Sequence, residues 1–218
     1  MPKDSGIGAS SKRREDVRFL TGHGHYTDDI NLAGQAYVHF LRSDRAHGRI
    51  NAIDTSAAEG MPGVIRVFTG KDFEGVGGLP CGWQVTDRHG QPMQEPGHPV
   101  LAQGKVRHVG DPIAAVVAES YAQARDAAEA IQLDIEELPA VIDMKAALAE
   151  DAPKVHDDLD SNLCYDWGFV EENKAAVDEA FEKADHVTTL ELVNNRLIPN
   201  AIEPRVAVGN YEAATDES

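Results

Sequence analysis

The sequence predicts a mixed α/β fold of the α+β kind, and three observations carry that prediction. A β-branched run over residues 64–69 leaves a turn made by Met61, Pro62 and Gly63. Residues 113–118 are almost continuously apolar, as in a strand buried on both faces. An alanine-rich helical stretch opening at Ser120 then runs into an alternating strand over 131–136, so strand, helix and strand succeed one another. With 42% apolar and 26% charged residues in 218, the chain supports one sizeable core or two small ones.

The elements follow in order. Residues 1–11 are rich in Gly, Ser and Lys without an apolar pattern, so 1–17 is read as a flexible leader with regularity beginning near Arg18. Residues 36–42 alternate as a strand, with Ala36, Val38 and Phe40 on one face and Tyr37, His39 and Leu41 on the other, both expected to be partly covered. The strand at 64–69 ends at Gly70. From 73 to 100, Gly and Pro are too dense for a regular element, and a long irregular connection of this kind more often serves function or an interface than nothing.

Ser120 is placed to cap its helix with Gln123 reaching back, a capping box whose Ser is worth about 1 kcal/mol. Ala122, Ala124, Ala127, Ala128 and Ala130 give that helix a small-residue surface suited to lying close on a sheet. Asp143 caps a short helix over 144–150, and the acidic, proline-containing stretch 151–163 is a loop or linker where the chain divides. Beyond it, Asn173 caps a helix whose Val177, Ala180, Phe181 and Ala184 form a core-facing stripe. Strands are expected at 186–193 and 205–211, joined by 194–204, with Pro199 to Arg205 as the turn between them. The last strand lacks a pairing partner, so the final quarter reads as the start of a larger sheet.

Several function classes are disfavoured. The net charge of −17, from 37 acidic and 20 basic residues, opposes a nucleic-acid partner, which needs a basic patch. No apolar run approaches bilayer length, so no membrane span is expected. Arg13 and Arg14 are followed by charged residues rather than the apolar segment of an export signal, which leaves a cytoplasmic location as the expectation. Cys81 and Cys164 are too few for a disulfide framework and too far apart for a short metal motif, so two unjoined thiols are expected.

The search for chemistry gives no catalytic, cofactor-binding or metal residue. His23 and His25 would point one way on a strand, with Asp28 and Asp29 nearby, but no third ligand is at hand and a polar turn is the better reading. Gly22 and Gly24 fail as a dinucleotide loop. Asp158, Asp160 and Asn162 match the start of a calcium loop, which then fails at Leu163, where glycine is required, and at Phe169, where glutamate is. There is no Gly-x-Ser-x-Gly elbow, and neither cysteine has a partner supplied by spacing.

An ordered set of blocks does stand out. It begins with Arg14-Glu15-Asp16-Val17-Arg18-Phe19-Leu20-Thr21-Gly22 and Gly24-His25-Tyr26-Thr27-Asp28-Asp29-Ile30, then Arg42-Ser43 and Ala46-His47-Gly48-Arg49-Ile50. It continues through Pro62-Gly63-Val64, Thr69-Gly70-Lys71-Asp72 and Val109-Gly110-Asp111-Pro112 with residues 113–118. Leu138-Pro139-Ala140-Val141 and the run from Asn195 through Arg205 complete it.

In this order the blocks resemble the start of the large subunit of the xanthine dehydrogenase, aldehyde oxidase and aerobic carbon monoxide dehydrogenase family, from about residue 13 onward. His23 and His25 depart from the arginine or other polar residue the family often carries there.

The resemblance implies an a/b hammerhead domain over 18–142, a linker over 143–164 and the truncated start of the first molybdopterin-binding domain over 165–218. It implies a molybdenum-pterin cofactor in the complete enzyme, with FAD and iron–sulfur clusters on medium and small partner subunits. The cofactor loops and the catalytic glutamate are expected beyond Ser218, so the chain is expected to be incomplete as an enzyme: a truncated member, a split gene product or an excised piece. Asn200 and Glu203 receive no catalytic role. The substrate, whether carbon monoxide, a purine, an aldehyde or a heterocycle, is not implied. The competing expectation is a stand-alone α/β interaction or scaffold domain without redox activity.

Overall fold

The computed structural model describes residues 6, 7, 9, 12–168, 173–195, 197–201, 203–212, 214 and 215. It divides into two compact units, one of Met1–Gln35 with Leu190–Ser218 and one of Ala36–Thr189. Of the expected leader over 1–17, residues 1–5, 8, 10 and 11 lie outside the described residues.

In the first unit, helix α1 (Asp16–Leu20) begins two residues ahead of the expected start of regularity. Arg13 pairs with Asp16 at 2.9 Å, and the Thr21 hydroxyl closes the helix by donating to Val17 O at 2.6 Å. A 3-10 turn, Thr27–Asp29, follows.

Among the described residues the second unit holds six strands: β1 (Tyr37–Arg42), β2 (Gly48–Asp54), β3 (Val64–Thr69), β4 (Lys105–Val106), β5 (Pro112–Ala118) and β6 (Gln132–Glu137). The helices α2 (Ser56–Glu59), α3 (Tyr121–Glu129) and α4 (Lys174–Glu182) complete it. The strands form two antiparallel sheets, ordered β1-β5-β3 and β4-β2-β6. The apolar run at 113–118 is the central strand of the first sheet, which is why it lacks alternation: Ile113, Ala114, Ala115, Val116 and Ala118 are all buried. The succession β5, α3, β6 leads from one sheet to the other rather than back into the same sheet.

Alanines let α3 lie close on that sheet. Ala124, Ala127 and Ala128 pack with Ala114, Val116, Ala118, Val67, Ala58 and Ile131. A second cluster of Ala102, Val106 and Ile113 sits under Ile50 and Ile135, and Ile53 and Leu133 touch both clusters, joining the two cores. Ser120 Oγ accepts from Gln123 N at 3.3 Å, while its hydroxyl donates to Gln123 Oε1 at 2.7 Å. The glutamine thus reaches back to the cap's side chain, a variant of the expected box.

Strand β2 has no counterpart in the sequence reading. A bulge between Ile50 and Ala52 breaks the period of two, so Ile50 and Ile53, three apart, both serve the core. Residues 73–100 are irregular as expected, except that they pinch into a narrow hairpin at the Thr86–Pro92 bridge, with Met93 N donating to Val85 O at 3.0 Å. The stretch 151–163 is a loop, anchored by Asn162, whose amide donates to Ala147 O and Pro153 O at 3.1 and 3.0 Å. The expected helix over 144–150 is only a 3-10 turn, Ala146–Leu148, whose cap residue is Lys145 without a side-chain cap bond, although Asp143 Oδ1 accepts from Ala146 N at 2.7 Å.

Three expectations are corrected. Only one face of β1 is covered: Val38 and Phe40 are 46% and 43% exposed, because α3 packs on the opposite side of the sheet. Helix α4 forms, but Asn173 makes no side-chain cap bond, and its stripe faces solvent, with Val177 50% and Phe181 63% exposed. The helix is braced by i,i+4 pairs of Lys174 with Asp178 and Lys183 with Glu179. The expected strands at 186–193 and 205–211 do not form among the described residues; the residues there are exposed and carry no regular secondary structure. A strand exists only by pairing, and no ladder reaches these segments, so the expected turn from Pro199 to Arg205 connects no strands.

Candidate functional site

Four of the blocks that carry the resemblance, at 42–43, 46–50, 109–112 and 138–141, meet at one place in the second unit. Ser43, 3% exposed, exchanges hydrogen bonds with Arg45: its hydroxyl donates to Arg45 O at 2.8 Å and its Oγ accepts from Arg45 N at 3.0 Å. Ser43 N donates to Asp111 O, and Gly110 N donates to Ser43 O, each at 2.8 Å. Arg42 reaches across to donate to Gly110 O at 2.9 Å. The Asp111 carboxylate, in turn, accepts from Arg107 N at 2.9 Å and so fixes the turn between β4 and β5.

His47 is the buried histidine of this knot, 5% exposed at the entry to β2. Its Nδ1 lies 2.8 Å from Pro139 O, and Leu138 N donates to His47 O at 3.0 Å, so the block from Leu138 to Val141 is stitched to the one from Ala46 to Ile50. Because Pro139 O is an acceptor, Nδ1 is the donor of that bond, and Nε2 is the ring nitrogen left outside it. That Nε2 is buried without a partner, as is Arg107 Nε. Buried polar atoms of this kind cost about 1–3 kcal/mol each, so a fold keeps few of them.

Around this knot the charge is mostly basic. The Lys105 ammonium, its side chain 11% exposed, donates to both Asp157 oxygens at 2.8 and 2.6 Å. That bond and the Lys105 charge hold the Asp157 carboxyl below the ordinary aspartate range. The neighbouring His156 is pushed down, first by burial and then by the Arg107 charge. A cavity of about 240 Å³ opens here, lined among others by His98, Arg107, His108, Asp111 and His156. It presents nitrogen donors, and among the described residues the Arg107 guanidinium has no carboxylate partner within ion-pair distance.

The residues weighed from the sequence lie elsewhere. Tyr26 N donates to Asp29 Oδ2 at 2.9 Å, while Thr27 N and Oγ1 donate to Glu203 Oε1 at 2.9 and 3.1 Å. Asp29 and Glu203 thus secure the turn at 26–29, and among the described residues no group of three metal-binding side chains includes His23 or His25. Asn162 Oδ1 is occupied by Val155 N at 3.0 Å, and Asp158 and Asp160 are exposed; Phe169 lies outside the described residues. Cys81 and Cys164 are both exposed and unjoined.

Among the described residues no set of three His, Cys, Asp or Glu side chains is placed to bind a metal ion. No residue described is therefore assigned a bond to the molybdenum or the pterin implied by the resemblance. No helix among the described residues is long and apolar enough to cross a membrane. His47, Lys105 and Arg107 escaped the sequence reading because β2 is bulged and β4 is two residues long; their only signal was the Ala46-His47-Gly48 block itself.

Known proteins share this architecture. Residues 21–139 match the family model described as aldehyde oxidase and xanthine dehydrogenase, a/b hammerhead domain. The nicotine 6-hydroxylase large subunit of Paenarthrobacter nicotinovorans is 36% identical over 96% of this chain and 25% of its own length. The carbon monoxide dehydrogenase large chain of Afipia carboxidovorans is 32% identical over 99% of this chain and 27% of its own. The chain thus spans about a quarter of the length of these relatives. The crystal structure of quinoline 2-oxidoreductase from Pseudomonas putida 86 superposes with a TM-score of 0.63 at 42% identity, covering 75% of this chain and 20% of that one. The shared architecture and the extent of these matches place the chain in the aldehyde oxidase and xanthine dehydrogenase family, as a bearer of its a/b hammerhead domain.

Proposed function

We propose that this chain is the amino-terminal portion of a molybdenum hydroxylase large subunit and contributes structure rather than the reacting groups. The observation that carries the reading is the match of nearly the whole chain, at 36% and 32% identity, to large subunits of which it spans about a quarter. In this reading residues 18–142 are the hammerhead domain, following a leader over 1–17. Residues 143–164 are a linker, and 165–218 open the first molybdopterin-binding domain. A molybdenum-pterin group held by the remaining portion would supply hydroxylation of a carbon centre with oxygen from water, or oxidation of carbon monoxide. Iron–sulfur and FAD subunits would take the electrons, in the cytoplasm.

What this chain's residues do is hold a rigid two-sheet body together. The Ser43, Asp111 and His47 knot fixes the strand ends, and the Lys105–Asp157 pair fastens the loop at 151–163 to β4.

The test co-expresses the chain with the missing portion and with candidate iron–sulfur and flavin subunits, then measures molybdenum per complex. The expected result is molybdenum in the full complex and none in the chain purified alone. A full complex without molybdenum would favour the scaffold reading, and a lone chain that holds a pterin and oxidises a substrate would overturn the proposal outright.

A further inference from the structure

Cys81 and Cys164 are far apart in sequence, yet the fold sets both against one short stretch of backbone. The hairpin pinched at Thr86–Pro92 continues into Gln94 and Glu95. Cys164 lies alongside Gln94: Gln94 N donates to Cys164 O at 2.8 Å, and the Cys164 thiol donates to Gln94 O at 3.0 Å. Cys81 N donates to Glu95 Oε1 at 3.0 Å, and the other oxygen of Glu95 is held by the Gln84 amide. Consecutive residues thus anchor one cysteine each. Both residues are exposed, and each thiol donates to a backbone carbonyl, Cys81 to Trp83 O at 3.1 Å.

We propose that Cys81 and Cys164 form a thiol–disulfide site, a modification site that closes on reaction with a low-molecular-weight disulfide of the glutathione class. The Cys81 thiolate attacks one sulfur of the reagent, giving a mixed disulfide and releasing one reagent thiol. The Cys164 thiolate then attacks Cys81 Sγ, forming the Cys81–Cys164 bond and releasing the second. The two protein thiols lose two protons and two electrons between them, and the reagent is reduced to two thiols.

The electrostatics agree with that order. Burial, and after it the negative charges of Cys81 and Glu95, raise the Cys164 thiol above its ordinary value. That rise disfavours the Cys164 thiolate as the first nucleophile at neutral pH. Closure would covalently fasten the connection at 73–100 to the segment following 151–163. At present hydrogen bonds and the Arg88–Asp166 ion pair, at 2.8 Å, fasten them.

The experiment treats the full chain with oxidised glutathione under native conditions, counts free thiols and maps linked peptides by mass spectrometry. The expected outcome is a fall from two free thiols to none, a mass lower by two hydrogens and a Cys81–Cys164 linked peptide. Cys81→Ser should instead leave a stable glutathione adduct on Cys164. Glu95→Gln keeps an acceptor for Cys81 N while removing the charge, so closure at neutral pH should become faster. Two persisting glutathione adducts on the native chain, or a link that forms as fast in the chain unfolded by guanidinium, would overturn the proposal.

Discussion

Gly70 shows how a single residue can bind two segments. A Cβ built there would sit 2.3 Å from Ala102 O, and the atom it meets is backbone, which has no rotamer to yield. Gly70→Ala is expected to destabilise the chain by about 1–3 kcal/mol, as overpacked sites do, measured by urea denaturation. Gly48 is similarly confined, its Cβ position lying 2.5 Å from Ile135 Cγ2 at the crossing of β2 and β6. Both glycines fall in the blocks that carry the family resemblance, so part of that resemblance records backbone approach rather than chemistry.

Charge at the residue scale gives a pH dependence with a definite sign. The Lys105 ammonium holds the Asp157 carboxyl below the ordinary aspartate value of about 3.9. The folded state therefore favours the ionised form, and this contribution is fully present above that value. It is lost as pH falls through the lower folded-state value. Asp157→Asn should lower the melting temperature at pH 7 and flatten its decline below pH 4, followed by thermal scans. A mutant that melts like the parent at every pH would show that the exposed end of the pair contributes nothing.

Individual elements differ widely in how firmly they are held. Helix α3 has a buried alanine face and a side-chain cap, so Ser120→Ala should cost about 1 kcal/mol. Strand β5 is hydrogen-bonded on both edges and buried, and its amides should exchange slowest in a hydrogen-exchange experiment. Helix α4 and the irregular backbone near residues 186–193 expose their apolar side chains and should exchange early. Equal protection of α4 and β5 would contradict this ranking. The element types in the well-packed part were legible because burial imposes a period on them: continuous for β5, two for β6, small residues for α3. Strand β2 was not, since its bulge erases the period. The amphipathic stripe of α4 was read correctly as a pattern, but a pattern states that a face can be buried, not that something in the same chain buries it.

For the molecule as a whole, the open face of the first sheet is the feature with consequences in solution. Val38 and Phe40 stand exposed on β1, with Arg42 stacked over Phe40 at 5.6 Å and Arg66 over Phe68 at 5.1 Å. Apolar surface of this sort promotes association. Phe40→Ser should reduce concentration-dependent light scattering while leaving the melting temperature nearly unchanged, because little burial is lost. A large drop in melting temperature would show that Phe40 belongs to the core instead.

The sequence by itself determined the family, the mixed α/β class and the local identity of β3, β5, α3 and β6, since local periodicity and ordered blocks of residues report burial and backbone constraint directly. Only the tertiary structure decided that β5 pairs with β1 and β3 in one sheet while β6 joins β2 in another. It alone showed that the strands expected near the end of the chain do not form among the described residues. It also brought Cys81 and Cys164 to adjacent residues, and His47 to Pro139. The physical reason is that pairing is made by hydrogen bonds and packing between segments distant along the chain, and no local period records which distant segment will supply the partner.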